Sequence, residues 1–245
     1  MIPKKIQILG NPRTGSSYLS SVLELYIGYE TLSGPLNTDK LPKNTDEHEA
    51  FFEKVVGHIY DADTITVKSH ITHLSTQFIQ PYPHLVEKFN GIPFYTIGLI
   101  RKNLLETAMS LTIGKMTNKF SHPYPHEAEG ITLDVDQFKH YCEQVYRVHF
   151  IGFLDAIEHT TIDELIYYED FIGTAREDFA QLQLCETPLD QLPLLHSTHK
   201  KAPKKQTVVH NYDTIVEIAL DYANSQPIDS RFTMEDFVIT DIHCL

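Results

Sequence analysis

The sequence predicts a three-layer α/β fold with a central parallel sheet and helices on both faces. Three observations lead there. A short apolar strand at the N-terminus runs into a glycine turn and an amphipathic helix; a second strand, polar turn and helix unit sits in the middle of the chain; and further strands and helices alternate around them. Such alternation carries parallel strands through helical crossovers, which cover the sheet.

The first unit begins with the apolar run Lys4-Lys5-Ile6-Gln7-Ile8-Leu9, followed by Gly10-Asn11-Pro12-Arg13-Thr14-Gly15 as a turn. Ser16 and Ser17 open a helix whose inner face is Leu19, Val22, Leu23 and Tyr26, at the i, i+3, i+4, i+7 spacing. An acidic helix is expected from Asp46 to Ile59, then a β-branched strand, Thr64-Ile65-Thr66-Val67-Lys68, leading into Ser69-His70. The clearest strand is Pro93-Phe94-Tyr95-Thr96-Ile97-Gly98-Leu99-Ile100, almost wholly apolar as a strand covered on both faces should be. It feeds Arg101-Lys102-Asn103 and a helix that turns Leu105, Ala108, Met109 and Thr112 inward. A long helix from Val135 to Ile157, a strand from Glu164 to Tyr168 and a last helix from Asp213 to Asn224 complete the core. The segment from Lys119 to Gly130, with His122-Pro123-Tyr124-Pro125-His126, breaks every period and reads as a loop.

The bulk properties narrow the function classes. With 245 residues and 42% hydrophobic content the chain can bury a full core, and it reads as one domain spanning residues 1–245. A formal net charge of −13 repels a polyanion over most of the surface, so nucleic acid is not the expected partner and any anion site must be local. No apolar run approaches the roughly 18 residues of a membrane span, and no secretory stretch precedes the first turn, so a cytoplasmic protein without a membrane span is expected. Cys142, Cys185 and Cys244 are far apart and odd in number, which suits reduced thiols better than a disulfide framework or a zinc knuckle.

The first turn carries the chemistry. Ligands of a parallel α/β sheet gather at the carboxyl ends of the strands, where helix N-termini offer N–H groups and a positive dipole end. Gly10 to Ser17 has the spacing of GxxxxGK[ST], a P-loop-like arrangement, but Ser16 stands where a nucleoside triphosphatase places its lysine. Arg13 instead sets a guanidinium inside the loop, able to fork onto two oxygens of a phosphate or sulfate. A glycine turn after a first strand can also begin a helix with no ligand at all, so the reading needs further residues.

Those residues bring out a resemblance. Pro12-Arg13-Thr14-Gly15-Ser16-Ser17-Tyr18-Leu19 resembles the loop of sulfotransferases that use 3′-phosphoadenosine 5′-phosphosulfate (PAPS), especially their bacterial branch. Arg101, ending a strand, and Ser110, nine residues on, are similar to the family's arginine and serine for the 3′-phosphate of PAPS. With Ser110 read as over two turns into the helix, both meet one phosphate only if it lies alongside that helix. Tyr167-Tyr168-Glu169-Asp170-Phe171 is similar to the family's YEDL turn, and His199-Lys200-Lys201-Ala202-Pro203-Lys204-Lys205 before Asn211-Tyr212 to its lysine-bearing loop. The resemblance implies that Arg13, Thr14, Gly15, Ser16, Ser17 and Tyr18 contact the 5′ end of the cofactor, and that Lys200, Lys201, Lys204 and Lys205 form a lid over the 3′-phosphate. A solvated loop is the other reading of that lysine run. Residues 38–60 and 112–160 carry none of the likeness.

On the acceptor side, Lys68-Ser69-His70 is similar to the KTH of animal cytosolic sulfotransferases, which implies His70 as the base that takes the acceptor's proton, with Lys68 and Arg13 on the sulfuryl oxygens. Bacterial relatives carry a glutamate in a GEPFN-like segment; here Ser33-Gly34-Pro35-Leu36-Asn37 has Gly34 in its place, and Glu30 is the nearest carboxylate. His70-Ile71-Thr72-His73 and the His122 to His126 segment are not expected to bind metal, because Pro123 and Pro125 forbid a helix in the second. The loop around His122 reads instead as part of a lid over a small-molecule or glycan acceptor. Two rivals stand beside a sulfotransferase: a nucleotide or small-molecule kinase with a degenerate P-loop, and a non-catalytic nucleotide-binding protein of the same fold.

Overall fold

The computed structural model describes residues 2–35, 41–70, 81–117, 130–158, 160–171, 174–195 and 209–226. The chain divides into two compact units: 1–99 with 156–166 and 173–197, and 100–155 with 167–172 and 198–245.

The first unit is built on a five-stranded parallel sheet in the order β2-β3-β1-β4-β5. Its strands are β1 (Lys5–Gly10), β2 (Thr31–Ser33), β3 (Ile65–His70), β4 (Tyr95–Ile100) and β5 (Glu164–Tyr167). β1 pairs in parallel with β3 on one side and β4 on the other, in registers that bring Ile8 opposite Lys68 and Ile97, and Gly10 opposite His70 and Leu99. A central strand flanked on both sides loses nearly all its exposure, and Ile6, Ile8 and Leu9 are wholly buried.

Side-chain alternation along β3 assigns the two faces. Ile65 and Val67 join Phe52, Val56 and Ile59 of α2 (His48–Asp61) and Leu85 and Phe89 of α3 (Pro83–Asn90) in one apolar cluster. Lys68, one residue out of phase, reaches Ser17 at the start of α1 (Ser16–Ile27). Neighbouring residues of a strand point to opposite faces, so α1 covers one face of the sheet and α2 with α3 the other. The expected three layers are present within this unit. α1 is further held by α7 (Ala175–Ala180), through stacking of Tyr26 on Phe179 with ring centroids 4.8 Å apart. At the opposite end of α2, Lys5 Nζ donates to the carbonyls of Ile59 and Tyr60 at 2.8 and 2.5 Å, placing a cation on the negative end of the helix.

The second unit is helical. α4 (Leu104–Thr117) is buried from Leu104 to Gly114 apart from Glu106, the pattern of a helix packed on all sides. α5 (Val135–Gln144), whose N-cap Asp134 accepts from Gln137 N–H, and α8 (Tyr212–Ser225) pack with it. The single long helix expected from Val135 to Ile157 is a composite. α5 continues into a π-helical stretch, Val145–Ile151, and then α6 (Gly152–Glu158). The π stretch keeps Val145, Tyr146, His149 and Phe150 buried while Val148 stays exposed. Asn211 clasps the chain at the entry to α8, its side chain accepting from Leu133 N–H at 2.9 Å and donating to Leu133 O at 3.0 Å.

Two described helices, α3 and α7, the strand β2 and a short 3-10 helix at Leu189–Gln191 were not expected. The loop from Lys119 to residue 129 lies outside the described residues.

Candidate functional site

Between β1 and α1 the chain turns through Asn11 to Gly15. Thr14 fastens the turn, its N–H and its Oγ1 both donating to Asn11 O at 3.3 and 2.7 Å. Gly10 is required for this closeness. A Cβ there would lie 2.9 Å from Thr14 Oγ1 and 3.1 Å from Leu99 O. Two residues of the turn adopt left-handed backbone, Gly15 at φ 86 and Arg13 at φ 69. Glycine enters that region freely, whereas for arginine it costs about 1–2 kcal/mol. Among the described residues Arg13 is the one non-glycine with a positive φ.

The helix that follows begins without a side-chain cap and with no acidic residue in its first turn. Its first backbone bond within the helix is Leu19 N–H to Gly15 O at 3.0 Å. The N–H groups of Ser16 and Ser17 therefore have no acceptor inside the helix, and they stand at its positive end. Successive N–H groups around a left-handed turn form the concavity in which proteins hold anions, and Arg13 adds a full positive charge to the loop.

β3 supplies the next groups. Lys68 and His70 point to the same face of the sheet, that of α1, while Ser69 between them points to the other and is buried. Lys68 Nζ donates to Ser17 Oγ at 2.9 Å. His70 is half-buried and stands in register with Gly10, where the loop starts. Gly34 donates its N–H to Lys68 O at 2.8 Å and has φ 53, a conformation in which a glutamate side chain would be strained. The departure from the GEPFN pattern thus has a backbone reason here. Glu30, the nearest carboxylate in sequence, sits before β2, its carbonyl accepting from Thr66 N–H at 2.9 Å.

Tyr18, expected on the cofactor, donates its hydroxyl to the Oδ2 of Asp178, a fully buried carboxylate on α7. In this arrangement its phenol ties two helices of the first unit together. The other expected loop residues, Arg13, Thr14, Gly15, Ser16 and Ser17, and the strand residues Lys68 and His70, all belong to this unit. The sequence placed Gly10 and Asn11 in the turn without giving either a role of its own; their contacts with Thr14 and Leu99 fold the loop.

Arg101 and Ser110 belong to the second unit. Arg101 follows β4 and is only 14% exposed at its side chain. Its guanidinium lies over the Tyr168 ring at 4.6 Å, and its Nη2 meets Glu106 Oε2 at 3.3 Å. Glu169 of the Tyr168–Asp170 turn accepts from Lys102 N–H at 3.1 Å and from Asn103 N–H at 2.9 Å, and Asn103 Oδ1 accepts from Glu106 N–H at 2.9 Å. The start of α4 is therefore capped twice over. Because α4 begins only at Leu104, Ser110 stands about 1.7 turns in, less than the sequence spacing suggested, and is 3% exposed. Burial, then the neighbouring Glu106 and Asp213, hold the Tyr212 phenol above its usual range. Neither Glu106 nor Glu169 was assigned a role from sequence, although Glu169 lies in the YED turn already singled out.

Lys200, Lys201, Lys204 and Lys205 lie outside the described residues, as do His73, His122 and His126. Among the described residues no group of three or more His, Cys, Asp or Glu side chains could hold a metal ion, and no helix is long and apolar enough to cross a membrane.

Fold and loop together define an α/β protein whose first strand runs through a glycine-bearing turn into an uncapped helix. No family model matches the chain, and no curated protein matches it.

Proposed function

We propose that this chain is a sulfotransferase that moves a sulfuryl group from PAPS to an acceptor hydroxyl. The observation that carries the reading is Arg13, held in left-handed backbone within a loop that ends in an uncapped helix. Backbone of this cost clusters at active sites and ligand clamps.

In this reading the loop from Arg13 to Ser17 binds the 5′-phosphosulfate through N–H groups and the Arg13 guanidinium. PAPS, when bound, supplies an activated sulfuryl group on a phosphate leaving group. Lys68 and Arg13 face the negative charge that builds on the sulfuryl and leaving oxygens, a task of positioning and charge rather than of covalent catalysis. His70, on the same sheet face as Lys68, takes the acceptor hydroxyl's proton; an imidazole is suited to that near neutral pH. The assignment of Arg101 and Ser110 to the 3′-phosphate is carried over from the sequence resemblance.

Transfer of label from PAPS to a panel of phenolic, sugar and aliphatic hydroxyl acceptors tests the reading, with parent and His70→Ala protein side by side. Transfer by the parent that drops about a hundredfold or more in the variant supports both the activity and the base. Equal transfer by the two removes His70 from the mechanism. Magnesium-dependent turnover of ATP without transfer from PAPS would replace the reading by a kinase.

A further inference from the structure

We propose that Glu106 is a specificity-determining residue of the second unit, an internal counter-anion that holds Arg101 until a ligand phosphate displaces it. The inference rests on the reading of Arg101 as the 3′-phosphate contact.

Two carboxylates occupy the anion-binding positions at the head of α4, and they do so differently. Glu169 takes the backbone N–H groups of Lys102 and Asn103, one on each carboxylate oxygen, at 3.1 and 2.9 Å. A helix start filled this way is closed to another anion. Glu106 meets the guanidinium of Arg101 at 3.3 Å, longer than the about 2.7–2.9 Å of a strong charge-assisted bond. Both partners are largely buried, with 14% and 13% of their side chains exposed. In such surroundings a bare guanidinium is costly, so Glu106 stabilises the empty state, and the stretched contact leaves it replaceable.

The consequence is selectivity by displacement. A phosphomonoester dianion brings more charge than the carboxylate and can fork onto the guanidinium. A neutral hydroxyl brings nothing that would release Glu106. Ser110 lies on the same helix, and the Tyr168 ring lies against the guanidinium at 4.6 Å. Glu106 therefore acts through Arg101, setting how strongly a ligand must be charged to be held.

Equilibrium titration of the full chain with 3′-phosphoadenosine 5′-phosphate and with ADP, in parent and Glu106→Gln protein, tests this. ADP lacks the 3′-phosphate and serves as the internal reference. Glu106→Gln is expected to bind the 3′-phosphorylated nucleotide about tenfold more tightly than the parent, with ADP binding unchanged, while melting at a lower temperature without ligand. If Glu106 merely orients Arg101, the variant will bind the 3′-phosphorylated nucleotide less tightly, and the proposal is overturned. A parent that prefers the 3′-phosphorylated nucleotide while the variant gains nothing overturns the displacement role alone. A parent indifferent to the 3′-phosphate overturns the assignment of Arg101 and this proposal with it. Should Glu106→Gln fail to fold, Glu106→Asp, which keeps the charge but withdraws it from the guanidinium, is expected to move affinity in the same direction, and no gain there overturns the proposal.

Discussion

Lys68 Nζ donates to Ser17 Oγ at 2.9 Å, joining the outgoing end of β3 to the first turn of α1. The hydrogen bond lies at the surface, where such contacts add about 1 kcal/mol or less. The ammonium is thus placed beside the helix start at small benefit to the fold. Lys68→Met should therefore change the unliganded melting temperature by no more than about 4 °C, while nucleotide affinity falls about tenfold or more. A variant that binds as the parent does would remove Lys68 from the site.

Arg13 offers a sharper separation of stability from function. Its left-handed backbone costs about 1–2 kcal/mol, and glycine would remove that cost while adding about 0.5–1 kcal/mol of unfolded-state entropy. Arg13→Gly should leave stability unchanged or raise the melting temperature by a few degrees. The same substitution should abolish measurable nucleotide binding, because the loop loses its only built-in cation. Thermal unfolding and a binding titration on one preparation check both halves.

Glu164 makes stability depend on pH. Burial holds its carboxyl above the ordinary 4.5, and the hydrogen bonds from Gln183 N–H and the Tyr95 hydroxyl only partly oppose this. The folded state therefore keeps the Glu164 proton more tightly than the unfolded one. Its contribution to stability is fully present below pH 4.5 and is lost as pH rises through the raised folded value. Glu164→Gln should remove that slope, so denaturant midpoints compared from about pH 4 to about pH 7 should favour the variant increasingly as pH rises. A difference that stays constant with pH would mean that Glu164 does not titrate in this window.

The strands that bear the loop were legible because apolar residues dominate them, Ile6, Ile8 and Leu9 in one and Tyr95, Ile97, Leu99 and Ile100 in the other, and because Gly10 and Gly15 punctuate the first turn. The short elements were not. β2 has only Thr31–Ser33 to announce it, and α3 is eight residues long and fully buries only Leu85 and Phe89. The π-helical stretch was hidden because Val145 to Ile151 keeps the apolar content of the helices around it, while the change of hydrogen-bond partner leaves no mark on composition. At the candidate site the loop followed from the spacing of its glycines, and Lys68 and His70 from the likeness of Lys68-Ser69-His70 to a family motif; that the two share one sheet face follows from the extent of β3. The hold of Glu106 on Arg101 did not, since it depends on where α4 starts, and α4 starts at Leu104 only because Asn103 and Glu169 cap it.

Under the proposed function the 3′-phosphate of the nucleotide adds to the hold on its 5′ end, and calorimetric titration with 3′-phosphoadenosine 5′-phosphate, set beside ADP and magnesium ATP, tests this without knowledge of the acceptor. The 3′-phosphorylated nucleotide is expected to bind about ten- to a hundredfold more tightly than ADP, the worth of one charge-assisted contact. Equal affinity for the two nucleotides, or tighter binding of magnesium ATP, would contradict it.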